Sequence, residues 1–350
     1  MKNKTFIAIS LILSALFFLL WRLLFSGEND ERLWHSFLIN FLFFTSLSGG
    51  LAVWPAIVVA TYGRWMGAAE RFCRVGLAFS LPSVIALIVL WIGSESWAPW
   101  LHTKTDMLWL NNTFLFTRNI LALIVFWILA FAFVANRHSE KKRVYAIWLI
   151  LAYVVSFSLM GFDFVMALEP EWYSMMTGGY FFISAVYLAV AAWALMAAWA
   201  NESKDTLHDI GKMIIAFCMF TSYLMFSHLF PIWYENNRHE TLFLIPRMNF
   251  AWKWISYLLL LMVYLGPIAL LLPARMKRNR FTLGVISLMI IAGMWIERWW
   301  LVSAVFNREQ ILFGWEEVVP AIAFLLLFAA SITVSKLIPV YSVEPKKVSQ

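Results

Sequence analysis

The sequence is poor in charge and in cysteine. Charged residues make up 13% of its 350 residues, against about 25% in soluble domains, and the two cysteines are Cys73 and Cys218. So few polar side chains cannot cover a soluble domain, and a sizeable soluble domain is excluded. Two thiols are also fewer than the four ligands that an iron–sulfur cluster or a structural zinc ion uses. We expect both cysteines to be buried side chains.

The chain instead has long apolar runs. Apolar residues make up 62% of it, and a membrane-spanning helix needs about 20 of them in succession. We predict an all-α integral membrane protein with ten transmembrane helices. They cover about residues 6–25, 36–60, 75–93, 115–135, 144–167, 178–199, 212–231, 251–272, 282–305 and 318–338. The first run resembles a secretory signal, but it is long and lacks a small-residue cleavage site, so we expect it to be a retained helix.

The basic residues indicate the orientation. When lysines and arginines are assigned to alternating ends of these spans, 18 fall on the side of both termini and 9 on the other. Because basic loops stay inside, both termini are predicted to be cytoplasmic. This asymmetry accounts for the net charge of +7, so no nucleic-acid partner is expected.

Similar segments recur four helices apart and indicate an internal repeat. The segment Thr113–Asn119 opens the fourth span and Thr241–Asn249 opens the eighth, while spans five and nine carry Asp163 and Glu297 at what we expect to be a similar depth. A shift of four spans preserves orientation, so we predict two parallel four-helix bundles, spans 2–5 and 6–9. The predicted units are 1–35 (first helix and outer loop), 36–170 and 171–310 (the two bundles), and 311–350 (tenth helix and cytoplasmic tail).

Ionisable side chains inside the spans are the candidates for function, since each costs about 2.5–3.5 kcal/mol at the bilayer centre. They are Arg118, Asp163, His228, Lys253, Glu297 and Arg298, with Arg247 at the interface. All lie toward the predicted non-cytoplasmic side. This predicts a polar half-channel that opens outward and is closed by an apolar inner half. The alternative is that these residues form ion pairs that brace the bundle.

Quinol oxidation is one chemistry that such a cavity would serve. A quinol releases two protons, which a neutral histidine and a carboxylate can accept, and His228 and Asp163 are the best-suited pair. Arg118, Arg247 and Lys253 would keep nearby carboxylates ionised. His228 could equally bond a carbonyl group. The other five histidines are placed at or beyond span ends, so neither a bis-histidine haem nor a metal site is expected in this chain.

Two segments resemble a known family. They are Asp163-Phe-Val-Met-Ala-Leu-Glu169-Pro170-Glu-Trp172-Tyr173-Ser174, followed by Gly178-Gly-Tyr180-Phe-Phe, and Ile232-Trp233-Tyr234-Glu-Asn236…Glu240-Thr241, followed by Arg247-Met. They resemble the smaller membrane subunit (the F subunit) of bacterial alternative complex III, within the NrfD-like polysulfide reductase membrane subunits. The resemblance covers about residues 36–340. Its motif positions here are Asp163, Glu169, Trp172, Tyr234, Glu240 and Arg247, whereas Arg238 and His239 replace a proline and a glutamate of the family pattern.

The resemblance implies a subunit, not catalytic alone, of a quinol:cytochrome c oxidoreductase in the inner membrane of a bacterial respiratory chain. It implies a sister NrfD-like membrane subunit, an iron–sulfur protein, multihaem cytochrome c subunits and a terminal oxidase as partners. Haem c and iron–sulfur clusters would belong to those partners, and quinone or quinol would be the one cofactor that this chain could contact. The family is thought to couple quinol oxidation to proton movement.

Two alternatives stay open at this point. One is an NrfD-like anchor for a polysulfide or molybdenum reductase, which differs in its partner and not in its fold. The other is a secondary transporter, because such proteins often have broken helices at mid-membrane, and Pro55, Pro82 and Pro267 interrupt predicted spans.

Overall fold

The computed structural model describes residues 15–16, 18–19, 30–63, 71–102, 108–136, 139–200, 202–235, 237–249 and 251–338. Within these ranges the chain forms helices and no strands. The predicted first span, 6–25, lies almost wholly outside the described residues, as does most of the predicted cytoplasmic tail.

The described helices are numbered here in chain order. The α-helices are α1 (Asp30–Ala60), α2 (Arg74–Ala78), α3 (Ser80–Ile92), α4 (Asn112–Ala135), α5 (Lys142–Phe164), α6 (Met176–Trp199), α7 (Lys204–Glu235), α8 (Arg238–Met248), α9 (Trp252–Leu259), α10 (Gly266–Leu271), α11 (Ala274–Arg278), α12 (Arg280–Phe306) and α13 (Trp315–Val334). A π-helical segment, Leu260–Leu265, joins α9 to α10. Short 3₁₀ turns cover Ser94–Ser96, Pro99–Leu101, Leu108–Leu110, Met166–Leu168 and Ser335–Leu337.

Eight helical segments in the described part of the chain are long and apolar enough to cross a membrane. They are α1, α4, α5 with its following 3₁₀ turn, α6, α7, the continuous α9–α10 segment, α12 and α13. The apolar helix α3 is shorter, with 13 residues. The prediction of an all-α, multi-pass membrane protein is therefore confirmed.

Helices α1 and α6 form the centre of the bundle. In their most apolar 18-residue windows, 89% of α1 and 83% of α6 is buried, against about a third in α4, α7 and α9–α10. Gly50 of α1 lets the two backbones approach, because a Cβ atom there would lie 2.5 Å from the Ala185 carbonyl oxygen and 2.6 Å from the Ala189 Cβ. Small residues at such a crossing are typical of helix contacts in membranes.

Ion pairs show which helix ends lie together. Arg32, near the start of α1, donates to Glu317, in the first turn of α13, at 2.9 and 2.8 Å. Arg71, before α2, pairs with Glu202, before α7, at 2.8 Å. We call the end of the bundle that holds Arg32 and Glu317 the outer end, because the charge pattern predicts it to be non-cytoplasmic.

The π-helical segment is explained by Pro267. Proline has no N–H group, so the carbonyl of Val263, one turn earlier, loses its helical donor. That oxygen accepts instead from the Tyr187 hydroxyl at 2.9 Å and from the Cys218 thiol at 3.3 Å. Side chains of neighbouring helices thus supply the hydrogen bonds that the Val263 carbonyl lacks, as is required of backbone groups inside a membrane. Cys73 and Cys218 are both buried, as predicted.

His35, predicted to lie at or beyond the end of a span, lies inside a helix. Helix α1 begins at Asp30, five residues before it, and the predicted unit boundary at residue 35 falls inside this helix. His35 is buried, and its ring stacks on that of Phe306 at 3.6 Å. The first turn of α1 was not predicted, because it contains the charged residues Asp30, Glu31 and Arg32 and the apolar run starts only after them.

Candidate functional site

Asp163 lies in the last turn of α5 and is completely buried. The Arg118 guanidinium donates from Nε to Oδ2 at 2.9 Å and from Nη2 to Oδ1 at 2.6 Å. The Asn119 amide donates to Oδ2 at 2.5 Å, and the Trp109 indole donates to Oδ1 at 3.1 Å. The carboxylate therefore accepts four hydrogen bonds, about as many as its lone pairs allow. We call these four residues the Asp163 cluster.

The start of α4 positions three of the four donor atoms, which belong to Arg118 and Asn119. Asn111 caps the helix by accepting from the Phe114 backbone N–H at 3.1 Å, which sets the turn that leads to Arg118 and Asn119. The Arg118 guanidinium also donates to the Trp109 carbonyl at 2.9 Å and lies 3.8 Å above the Trp109 ring. Trp109 thus holds both members of the ion pair.

Glu297 and Arg298 of α12 form a second cluster, and both are completely buried. Arg298 Nη1 donates to Glu297 Oε2 at 2.5 Å, and its Nη2 donates to the Ser184 hydroxyl at 2.8 Å. The Tyr180 hydroxyl donates to Glu297 Oε1 at 2.5 Å and lies 2.8 Å from the Tyr264 hydroxyl. A buried ion pair is tolerated when further hydrogen bonds engage its remaining atoms, as here. We call these five residues the Glu297 cluster.

The two carboxylates do not lie at equivalent places along their helices. Glu297 is about two and a half turns from the end of α12, whereas Asp163 is in the last turn of α5. The two carboxylates therefore differ in their positions along the helices, and their similar depth in the membrane stays a prediction. The apolar run of α12 continues past Glu297 as far as Phe306, and so this carboxylate lies within the helix.

Among the described residues, His228, in α7, makes no hydrogen bond to either carboxylate. Its Nδ1 is 3.4 Å from the Ser174 hydroxyl, and its ring packs against those of Trp172 and Phe243, with centroids 5.2 and 5.0 Å away. Its Nε2 is buried and has no hydrogen-bond partner among the described protein groups. Asp163 is engaged by α4 and by Trp109, so the structure does not join the expected pair of His228 and Asp163 directly.

A small cavity of about 10 Å³ lies beside His228. Its walls are formed by Val165, Trp172, Thr177, Tyr180, Phe181, Met225, His228, Phe243 and Leu301. We call it the His228 cavity. Its volume suffices for one water molecule, whereas pockets for organic ligands are some hundreds of Å³. In this conformation the cavity has no room for a quinol ring.

Arg247, in α8, is a buried cation that binds carbonyl groups. Its Nη1 donates to the Phe243 carbonyl and its Nη2 to the Leu301 carbonyl, each at 2.7 Å, and it lies 3.9 Å above the Phe243 ring. Burial lowers the pKa of Arg247 to about 9, an effect that the charge of Glu169 opposes. It therefore stays protonated at neutral pH, held by peptide dipoles and an aromatic face.

Glu169 lies in the loop after α5 and pairs with Arg308, which follows α12. Arg308 Nη2 donates to both carboxylate oxygens of Glu169, at 2.8 and 3.0 Å. Burial raises the pKa of Glu169, and the charge of Arg308 opposes this shift. The pair ties the outer loops of the two halves of the chain together, a role for Arg308 that the sequence did not indicate.

Three predicted residues lie outside these groups. The Lys253 ammonium is 5.3 Å above the Trp254 ring, the Tyr234 side chain is 75% exposed, and Glu240 is half-buried in the first turn of α8. Among the described residues, no group of three or more His, Cys, Asp or Glu side chains is placed to hold a metal ion.

Sequence reasoning missed the neutral partners of the carboxylates. Asn119 occurs in a repeated segment and Tyr180 in the family motif, so a signal was present for both. Trp109 is one of several tryptophans near predicted span ends, which an aromatic belt at the membrane surface explains, and Tyr264 has no distinguishing pattern. Neutral residues of these types are common in membrane helices, so only packing reveals which of them meet a charge.

The comparisons with known proteins leave the family open. No family model matches the chain, and no curated protein matches it. The kinship with the alternative complex III membrane subunits therefore stays a prediction from sequence motifs, and the function has to be inferred from the two carboxylate clusters and the histidine.

Proposed function

We propose that the chain is a membrane subunit of a bacterial respiratory quinol:cytochrome c oxidoreductase, in which it carries protons and is not catalytic alone. The observation that supports this most is the pair of completely buried carboxylates, Asp163 and Glu297, in helices long and apolar enough to span a membrane. Carboxylates at such positions are costly, and proton relays are one of the functions that retain them.

The environment of the carboxylates favours proton transfer over simple bracing. Glu297 accepts from Tyr180 as well as from Arg298, and the Tyr180 hydroxyl contacts that of Tyr264, so this carboxylate lies at the end of a chain of hydroxyl groups. Such a chain can pass protons, because each hydroxyl both donates and accepts and the carboxylate can take up the proton. The His228 cavity has no room for a quinol ring, which favours a quinol site in the sister subunit.

The proposed architecture has ten transmembrane helices with both termini in the cytoplasm. Spans 2–5 correspond to α1–α5 and spans 6–9 to α6–α12, as two parallel four-helix bundles. The central packing of α1 on α6 supports this, since these are the first helices of the two units. The Asp163 cluster would then belong to the first bundle, and the Glu297 pair with Arg298 to the second.

Electrons would travel through partner subunits. An iron–sulfur protein and multihaem cytochrome c subunits would accept them from quinol bound mainly by a sister NrfD-like subunit, and a terminal oxidase would consume them. The support is the motif resemblance together with the chemistry of the described residues, which offer proton carriers at the outer end. Haem c and the iron–sulfur clusters would remain in those partners.

The test is the Asp163→Asn variant in the assembled complex, compared with Glu240→Gln as a control outside the clusters. Asparagine keeps one oxygen for Arg118, so we expect assembly and quinol oxidation to persist. We expect protons moved per electron, measured in proteoliposomes, to fall for Asp163→Asn and not for the control. Normal assembly with unchanged oxidation and proton movement would remove Asp163 from the mechanism.

One observation favours a secondary transporter as the second candidate. The α9–α10 segment is interrupted by a π-helix before Pro267, and transporters often bind ions at such breaks. Here the freed Val263 carbonyl already accepts from Tyr187 and Cys218, which argues against an open ion site. Co-purification of subunits that carry haem and iron–sulfur clusters would exclude a secondary transporter that works alone. Co-purification of a molybdenum subunit would indicate that the chain anchors a polysulfide or molybdenum reductase.

A further inference from the structure

The Asp163 carboxylate has all of its acceptor positions occupied. Its Oδ1 accepts from Arg118 Nη2 and from the Trp109 indole, and its Oδ2 accepts from Arg118 Nε and from the Asn119 amide. A carboxylate offers about four lone-pair sites, and each of them here already receives a donor. A proton can therefore bind this carboxylate only if one of the donors moves away.

The three donor side chains differ in what it costs them to leave. Arg118 is the positive partner of a buried ion pair, and breaking such a pair is the most costly change. Asn119 is 2% exposed, so its amide N–H would lose a hydrogen bond without reaching water. Trp109 is 46% exposed, so its indole N–H can bond to water instead. Trp109 is therefore the donor that leaves at the least cost.

Trp109 also lies where its side chain can turn without disturbing the ion pair. It belongs to the 3₁₀ turn Leu108–Leu110 before α4, whereas Arg118 and Asn119 lie within that helix. The Trp109 carbonyl, which accepts from Arg118 at 2.9 Å, belongs to the backbone and stays in place when the indole turns. Arg118 also lies 4.9 Å above the Phe114 ring. Rotation of one side chain therefore frees Oδ1 and leaves the forked contact of Arg118 intact.

We propose that Trp109 controls the access of protons to Asp163. Its indole leaves Oδ1 when the carboxylate takes up a proton, and it returns when the proton is released. The half-exposed Trp109 side chain reaches from the surface to a completely buried carboxylate, so its departure lets water from the outer end approach Oδ1. The inference deepens the proposed proton-carrying role of Asp163 and rests on it.

The step transfers one proton, and nothing is oxidised or reduced. A hydronium ion at the outer surface gives its proton to Oδ1, and the new O–H group donates to a water molecule in the position that the indole N–H has left. Trp109 keeps its own N–H proton and donates it to water. Arg118 Nε and the Asn119 amide still donate to Oδ2. On release the proton returns from Oδ1 to water, and the indole N–H binds Oδ1 again.

The charges around Asp163 make its protonation simple to follow. Arg118 on α4 is the one charged group in contact with it among the described residues. Helices α1 and α6 also pack on α5, and neither has an Asp, Glu, Lys or Arg residue beyond Arg32 in the first turn of α1. A change in the contacts of Asp163 on acidification therefore reports its own proton.

The first test follows the donors while Asp163 takes up a proton. The probe is the full chain in detergent with ¹⁵N-labelled side chains, each donor signal being assigned by a single substitution. As the pH is lowered, the infrared band of a protonated carboxyl that is missing in Asp163→Asn reports the uptake. We expect the indole signal of Trp109 to move toward that of an indole in water with the same midpoint, while the Arg118 and Asn119 signals keep their positions.

This measurement separates the proposal from the proposed function. A carboxyl band that appears while the Trp109 signal stays in place, or while the Asn119 or Arg118 signal moves instead, would overturn the role of Trp109 alone. If no Asp163 band appears at any pH at which the chain stays folded, then Asp163 carries no proton, and the proposed function of this cluster fails together with the role of Trp109.

The second test uses Trp109→Phe, which keeps an aromatic ring near Arg118 and removes the indole N–H. Because Oδ1 then has one donor fewer, a proton reaches it without displacing a side chain. We expect the protonated Asp163 carboxyl to exchange its proton for deuterium about tenfold faster or more than in the wild type, as measured by the shift of its infrared band in D₂O.

Trp127→Phe is the matched control. Trp127 also lies in α4, and its indole donates to the Ser83 hydroxyl at 2.9 Å, more than two turns beyond Arg118. Its replacement removes an equivalent indole hydrogen bond and should leave the exchange at Asp163 unchanged. An unchanged rate in Trp109→Phe, or an equal acceleration in Trp127→Phe, would refute the proposal.

Discussion

Arg118 binds both carboxylate oxygens of Asp163, with Nε 2.9 Å from Oδ2 and Nη2 2.6 Å from Oδ1. The side chains are 11% and 0% exposed, so water screens the pair poorly. Such a forked contact is among the strongest that a guanidinium makes, and it joins α4 to the end of α5. The ion pair consequently holds the two helices together, and Arg118 also forms the immediate environment of Asp163, the proposed proton carrier.

Replacing Asp163 by leucine should destabilise the protein strongly. The change leaves the Arg118 charge buried without its carboxylate, which typically costs about 3–5 kcal/mol. The double variant Asp163→Leu with Arg118→Met removes both charges and should regain most of this loss. Thermal unfolding in detergent measures both. A double variant no more stable than the single one would show that the ion pair is not the cause.

The pH dependence of stability should report Glu169. Its pKa is raised in the fold, chiefly by burial, so its protonated form is favoured and its contribution to stability is present below about pH 4.5. This contribution is lost as the pH rises through the raised pKa. Glu169→Gln cannot titrate, so its stability relative to wild type should grow over that range and then level off, as measured by unfolding temperature against pH.

Arg308 provides the complementary variant for this prediction. Its charge opposes the rise in the pKa of Glu169, so Arg308→Gln should extend the loss of stability to higher pH. A stability difference between Glu169→Gln and wild type that stays constant across the acidic range would contradict the assigned burial effect.

Arg247→Lys should weaken the outer end of the bundle. A lysine cannot present the planar fork that reaches the Phe243 and Leu301 carbonyls together, and hydrogen bonds from a charged group are worth about 1.5–3 kcal/mol. We expect a loss of at least about 1.5 kcal/mol in detergent unfolding. Lys253→Gln removes a cation that lies over one ring, and should cost about 1 kcal/mol at most. Equal effects of the two variants would contradict this distinction.

Two glycines should respond in opposite directions to the same substitution. Gly50→Ala places a methyl group 2.5 Å from the Ala185 carbonyl oxygen, and such overpacking costs about 1–3 kcal/mol. Gly179→Ala, in α6, meets nothing within 4 Å and should stabilise its helix by about 0.5–1 kcal/mol. Unfolding temperatures of the two variants check this. A neutral Gly50→Ala would mean that α1 and α6 separate easily.

The membrane-spanning helices were predictable because a bilayer demands long apolar runs. Their ends were not, since helices continue into polar sequence where hydrogen bonding alone extends them. Helix α7 covers Lys204–Glu235, whereas its apolar run covers only 212–231. Helix α1 likewise starts at Asp30, before its apolar run.

The charged members of the site were predictable and their contacts were not. Asp163 and Glu297 stand out because charge is rare in this sequence. The partner of Arg247 was expected to be a carboxylate, but its fork reaches two backbone carbonyls, which carry no sequence signature. The contact of the Trp109 indole with Asp163 likewise becomes visible only when the surrounding helices are packed.

The matched charges in the two clusters determine how they respond to voltage. Asp163 with Arg118, and Glu297 with Arg298, each sum to zero, so a transmembrane field exerts no net force on either cluster at rest. A proton arriving at either carboxylate leaves the arginine charge unbalanced. Moving one such charge across the whole membrane is worth about 2.3 kcal/mol per 100 mV. Each cluster would thus have no net charge until its carboxylate is protonated. The membrane potential of the cell would then act on the protonated state alone.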